Sequence, residues 1–170
     1  AKHIDPDVLA VQPFIFTEML VTRGRGELSG VGVKGVDPKL VRGVLDLDTY
    51  MLEGSVDALG KPRAPGELPP TIIGKELAHK LRAKVGDEVT IVIPQIASGW
   101  DSNMQQAPRS RNFRVAGIFY SGFDEYDRRL MYTALRDEQD LIGRGDMVMG
   151  VEMKVKHVNR ASEIAKHLEE

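Results

Sequence analysis

The sequence predicts an α+β fold, and three observations predict it. Runs rich in β-branched and aromatic residues recur at Val8–Val21, Ser29–Val36, Glu88–Ile93 and Phe113–Phe119, the composition of half-buried strands. Apolar residues recur twice at helical spacing, at Ile73, Leu77, Ala78 and Leu81 and again at Ala161, Ile164, Ala165 and Leu168, giving each segment one apolar face. Strands and helices do not alternate regularly, which argues against a doubly wound parallel sheet.

The elements follow in order along the chain. Val8–Val21 reads as a strand, with an interruption expected at Pro13. Turn residues at Gly24–Leu28 then lead into Ser29–Val36, so the two strands are expected to form a hairpin. Asp37-Pro38 reads as N-cap and first helical residue, and Leu40, Val41, Val44 and Leu45 give that short helix an apolar face. The proline- and glycine-rich stretch Leu59–Pro70 is the clearest boundary or linker. A helix is expected from Gly74 to Ala83, then the Glu88–Ile93 strand, a long connection, and the Phe113–Phe119 strand. An acidic turn at Asp124–Asp127, a strand at Leu130–Leu135 and a helix at Arg136–Ile142 follow, the helix stopped by Gly143. Met147–Val155 alternates as a strand, and Asn159 is placed to cap the final helix.

Composition narrows the function classes. The chain has 170 residues, 42% of them hydrophobic and 28% charged, enough to bury a sizeable core without staples. A net charge of −2 argues against a general nucleic-acid binder, which would be basic. There is no cysteine, so thiolate metal sites and disulfides are excluded. No run approaches the length of a membrane span. The chain starts at Ala1 without Met and stops inside a helical pattern, so an excised piece of a longer protein is expected.

Several letter patterns have simple structural readings. Gly30-Val-Gly32-Val-Lys-Gly35 matches G-x-G-x-x-G, but the phosphate-binding form must open directly into a helix. Here valines alternate with the glycines, as in a strand. Arg144-Gly145-Asp146 spells an adhesion tripeptide that is equally a helix stop before the next strand. His3, His79, His157 and His167 are scattered, with no second ligand at metal spacing. Asp124, Glu125 and Asp127 lack the alternating oxygen ligands of a calcium loop and read as a solvated turn, with a general acid/base pair as the alternative. No nucleophile elbow or Ser/His/Asp grouping occurs. No catalytic, cofactor or metal residue is assigned.

The nineteen residues Pro94–Asn112 are the most informative stretch. Adjacent strands are usually joined by two to five residues, and connections longer than about 12–15 residues are commonly functional or disordered. A spacer has no need of Trp100 and Met104, whereas an exposed aromatic and a pliable thioether suit an adaptable binding surface. Arg109, Arg111 and Arg114 stand where the loop enters the strand and are expected to share one face, a row that invites an acidic partner. A strand edge guarded by positive charge explains them equally well.

IIGKELAHKLRAKVGDEVTIVIP and, after the loop, FRVAGIFYSGFDEYDRRLMYT resemble the extracytoplasmic domain of the LolC/LolE family, permease subunits of the lipoprotein-releasing ABC transporter. GVKGVDP, LEGSVDAL and MGVEMKVKHVNRASEIAKHL extend the resemblance in order over nearly the whole chain. It implies a Porter-like lobe from both chain ends (1–65 and 130–170) and a β-rich, Sabre-like lobe from the middle (66–129), with loop 94–112 as a projecting hairpin. It also implies a domain on the periplasmic side of the inner membrane, with a LolA-like lipoprotein chaperone, lipoprotein clients, a second permease subunit and a separate cytoplasmic ATPase as partners. A MacB-like permease for efflux or mechanotransmission is the alternative, and a free-standing enzyme using residues 124–127 a further one. Within the loop, Met104 lies four residues before Pro108, the family's spacing, and Arg111 matches a basic docking residue two before Phe113. Trp100, Met104, Gln105, Pro108, Arg109 and Arg111 form the expected docking set. The family's Pro-Met-Gly is Asn103-Met104-Gln105 here, and Thr90 stands near where a further basic contact is expected.

Overall fold

The computed structural model describes residues 5–26, 28–94 and 109–169, with side chains as far as Lys166. Among these, eight strands share one mixed sheet: β1 (Val8–Thr22), β2 (Ser29–Val36), β3 (Met51–Gly54), β4 (Pro70–Gly74), β5 (Glu88–Val92), β6 (Ser110–Phe119), β7 (Leu130–Ala134) and β8 (Gly150–Val155). The order is β2-β7-β4-β6-β5-β1, and β1 pairs back onto β2, so six strands close a ring. The β2–β7 and β4–β6 pairs are parallel and the others antiparallel. Closure is possible because β1 is long. Its second half pairs with β2 (Phe14↔Val36 to Val21↔Ser29), while Leu20–Thr22 also pairs with β5 and Val8–Phe14 with β8. Strands from both chain ends and from the middle are thus joined by hydrogen bonds.

Among the described residues six α-helices complete the fold: α1 (Val41–Val44), α2 (Leu47–Tyr50), α3 (Lys75–Leu81), α4 (Asp124–Arg129), α5 (Leu135–Ile142) and α6 (Ala161–Glu169). Two cores use opposite faces of the sheet. Met19, Val21, Val33, Ile73, Val89, Ile91, Phe113, Val115 and Met131 meet in one. In the other, Ile72, Phe119 and Tyr132 meet Val41, Leu47, Val56 and Leu59 from the segment that wraps the outside. Neighbours such as Ile72/Ile73 and Met131/Tyr132 enter different cores because successive strand side chains point to opposite faces.

That double burial explains the element the sequence hid. All five residues of β4 are buried, including Thr71, whose hydroxyl donates to the Tyr132 carbonyl at 2.9 Å, so the strand shows no alternation of buried and exposed positions. Ile73 belongs to this strand, not to the helix expected from Gly74, which begins at Lys75. Pro13 does not interrupt β1: it pairs with Val151, and no β2 residue is paired with it, so no β2 ladder bond is lost to its missing N–H. Asp37 opens a turn but caps no helix. Its Oδ1 accepts the Lys39 N–H at 2.8 Å, and α1 starts four residues on. Met147–Met149 precede β8, with the Met149 N–H donating to the Phe14 carbonyl. Asn159 lies inside a 3-10 turn (Val158–Arg160) ahead of α6.

Candidate functional site

The strands that bracket the long connection are paired to its base. β5 and β6 run antiparallel from Glu88↔Arg114 to Val92↔Ser110, and the Ile93 N–H donates to the Arg109 carbonyl at 2.9 Å. Of the expected docking set, Trp100, Met104, Gln105 and Pro108 lie outside the described residues. Arg109 and Arg111 are described, and both reach α5. The Arg109 Nη1 donates to the Ile142 carbonyl at 2.9 Å. It lies over Gly143, whose φ of +68° ends α5 in the left-handed conformation; a Cβ there would stand 1.9 Å from the same nitrogen.

Arg111 is held by acids. Its Nη1 donates to the Asp137 carbonyl at 3.0 Å, its Nη2 is 3.5 Å from Asp137 Oδ1, and Asp140 Oδ2 is 4.0 Å away. Its guanidinium also sits 5.7 Å from the centre of the Phe113 ring. The acidic counterpart the sequence led one to seek in a partner is therefore partly supplied by this chain. Asp137 is fully enclosed and takes a second arginine as well: Arg63 Nη1 and Nη2 donate to it at 3.0 and 2.8 Å. Arg63 comes from the proline-rich stretch, which is thus fastened to the body of the fold.

Arg114 corrects the expected arginine row. Arg111, Phe113 and Val115 lie on the enclosed side of β6, while Ser110, Asn112 and Arg114 are exposed on the other. Arg114 is three residues from Arg111, an odd step in a strand, so it faces away. On that outer side the Thr90 hydroxyl donates to Asn112 Oδ1 at 2.9 Å, and Asn112 donates in turn to Glu88. A polar cross-strand set occupies the place where another basic group was expected.

Next to Asp137, Glu138 is fully buried with no hydrogen-bond partner of regular geometry. Loss of water pushes its carboxyl up to about 8, against the opposing pull of the Thr17 hydroxyl and the Gly35 backbone N–H. A Cβ at Gly35 would lie 2.5 Å from Glu138 Oε2, and one at Gly32 would lie 2.4 Å from the Phe16 ring. Two of the three glycines of the apparent phosphate fingerprint, Gly32 and Gly35, thus serve close packing inside β2, whereas a Cβ at Gly30 would meet nothing within 4 Å.

The other sequence candidates resolve into structure. Asp124–Asp127 forms the first part of α4, not a solvated turn. Asp127 is buried and accepts the Ser121 N–H and hydroxyl, both at 2.8 Å, and Glu125 pairs with Arg129 at 3.3 Å. His157 does have a carboxylate neighbour: Asp7, brought from the other end of the chain, lies 3.3 Å from its Nδ1. Sequence reading also missed an apolar cleft of about 470 Å³ walled by Tyr50, Phe119, Phe123, Tyr126, Leu130 and Tyr132. Phe123 and Tyr126 are 68% and 61% exposed and meet edge to face, 6.2 Å between centres. The FDEY spacing, two aromatics three apart on one helix face, was the available signal.

Comparison with known proteins adds three findings. The MacB-like periplasmic core domain family matches residues 1–170, the whole chain. The lipoprotein-releasing system transmembrane protein LolC of Xylella fastidiosa (strain Temecula1 / ATCC 700964) is 32% identical over 164 residues, covering 96% of this chain and 37% of that protein. LolC of Neisseria meningitidis serogroup B is 30% identical over 148 residues, 87% of this chain and 34% of that protein. The chain therefore spans little more than a third of these relatives. Among solved structures, the extracellular domain of the noncanonic ABC-type transporter YknZ from Gram-positive bacteria superposes with a TM-score of 0.58 at 19% identity, over 96% of this chain and 73% of that one. The periplasmic region of MacB from Actinobacillus actinomycetemcomitans does so at 0.56 and 12%, over 96% and 65%. At those identities the shared property is the fold.

Proposed function

The chain belongs to the MacB-like periplasmic core domain family, and from that premise we propose that it is the periplasmic domain of an inner-membrane ABC transporter permease that releases outer-membrane lipoproteins to a soluble chaperone. The observation that carries this reading is the 32% identity to a LolC protein over 96% of the chain. Among the described residues no helix is long and apolar enough to cross a membrane. ATP hydrolysis falls to a separate cytoplasmic subunit, and a second permease subunit completes the complex. This domain contributes surface and movement, not chemistry.

The connection between β5 and β6 is the docking element in this reading. Burying Met104 or Trp100 against a partner contributes roughly 1.5–3 kcal/mol from apolar area, and a few such residues dominate most interfaces. Arg109 and Arg111 add orientation, and their share weakens as salt rises. The departures at Asn103-Met104-Gln105 and at Thr90 favour a second reading, a MacB-like permease without a lipoprotein client.

Calorimetry with the LolA-type chaperone of the same bacterium separates the two. Saturable binding, reduced by Met104→Ala at every ionic strength, is the expected result. A chaperone that fails to bind a folded domain contradicts lipoprotein hand-off and leaves the MacB-like reading.

A further inference from the structure

Helix α5 carries Asp137, Glu138, Gln139 and Asp140 in succession, and the first three are buried. A helix this polar is not normally enclosed unless its groups have partners. Gln139 Nε2 donates to the Met147 carbonyl at 3.0 Å. Asp137 is the most connected of the four. Its carboxylate receives both terminal nitrogens of Arg63, lies 3.5 Å from Arg111, and is followed by a carbonyl that accepts Arg111 at 3.0 Å. One buried acid thereby joins the proline-rich stretch, α5 and the first turn of β6, segments separated by 74 and 26 residues.

We propose that Asp137 is the positioning residue of the docking face: it holds Arg111, and with it the strand end that carries Arg109, in one orientation against α5. This rests on the docking reading above. An arginine offers five N–H donors; Arg111 spends one on the Asp137 carbonyl and pairs its charge with the Asp137 carboxylate at 3.5 Å. With its side chain 32% exposed, Arg111 keeps an open edge for an acidic group on a partner. A guanidinium fixed in advance loses less freedom on meeting a carboxylate than a free one. Arg109 is steadied independently by the Ile142 carbonyl and the bare backbone of Gly143. Helix α5 therefore grips this strand end at two points, two residues apart. Arg63 completes the device by donating to both carboxylate oxygens of Asp137, Oδ1 being shared with Arg111.

Hydrogen exchange on the intact domain reads the positioning without any partner. The Ile93 N–H, bonded to the Arg109 carbonyl, reports the end of the β5–β6 pairing. Asp137→Asn and Arg111→Lys are each expected to speed exchange at Ile93 by about tenfold or more, as a local opening does, while amides of β2 and α3 keep their rates. The Arg111→Lys variant keeps the charge and buries nothing new, so it decides the matter if Asp137→Asn does not fold. Unchanged exchange at Ile93 in Arg111→Lys overturns the proposal. So does a uniform rise in β2 and α3, which would mean that stability alone was lost. Chaperone titration supplies the second readout. Both variants are expected to bind more weakly, and Asp137→Asn with Arg111→Ala no more weakly than Arg111→Ala alone. Undiminished binding by Arg111→Lys overturns the docking half of the proposal. If the unaltered domain binds no chaperone while Ile93 responds as expected, the docking reading fails and the positioning by Asp137 stands.

Discussion

At Glu138 a carboxyl group is enclosed between Gly35 and Thr17, and burial pushes it up to about 8 from its ordinary value of 4.5. The folded state therefore favours the protonated form. Its contribution to stability is complete below the unfolded value and is lost as pH rises towards and through 8, by about 1.4 kcal/mol per pH unit over that window. Replacement by glutamine keeps the shape and removes the titration. Glu138→Gln is expected to flatten the pH dependence of unfolding between pH 5 and 8 and to be the more stable protein at pH 8. Urea melts at several pH values check this, and parallel profiles for the two proteins would refute it. Unlike Glu138, the buried acids Asp137 and Asp127 have close partners: Asp137 faces Arg63 and Arg111, and Asp127 faces the Ser121 N–H and hydroxyl. The pairings of Asp137 were not legible in the sequence, because its partners lie 74 and 26 residues away and nothing local marks them.

Among elements, burial on both faces did not by itself hide a strand, since β2 and β7 are enclosed on both sides. β2, β5 and β7 were expected within a residue or so, and α5 with its Gly143 stop was expected almost to the residue. β4, buried throughout, merged with the helix that follows it. α4 was read as a turn because its inward face is polar: the only buried residue is Asp127. Two helix ends give direct tests. Gly143 is left-handed and lies beneath the Arg109 guanidinium, so Gly143→Ala is expected to cost about 1–2 kcal/mol through backbone strain and the displaced side chain. Asp127→Ala leaves the Ser121 N–H and hydroxyl without their acceptor, at an expected cost of about 1–3 kcal/mol. Denaturant melts measure both. A loss below a few tenths of a kcal/mol in either variant would show that these contacts do not anchor their helices.

For the whole molecule, the closing of six strands into a ring could not be read, since β1–β5 and β2–β7 join residues far apart in the chain. The family could be read, because ordered stretches along nearly the whole chain point to one domain type. Phe113 stands at the centre of the ring, fully buried beside Val89 and Val115, and Phe113→Ala is expected to cost about 3–5 kcal/mol. The ring holds the ends of β5 and β6 together independently of the connection between them. Ile93 is bonded to Arg109, and α5 grips Arg109 and Arg111 from below. The connection should therefore be removable without loss of the fold, which separates its role in binding from any role in stability. The most direct measurement replaces Ser98–Ala107 with a short glycine-containing turn and titrates the variant with the LolA-type chaperone. The account predicts an unchanged circular dichroism spectrum and loss of chaperone binding. Full-affinity binding by the folded variant would contradict it.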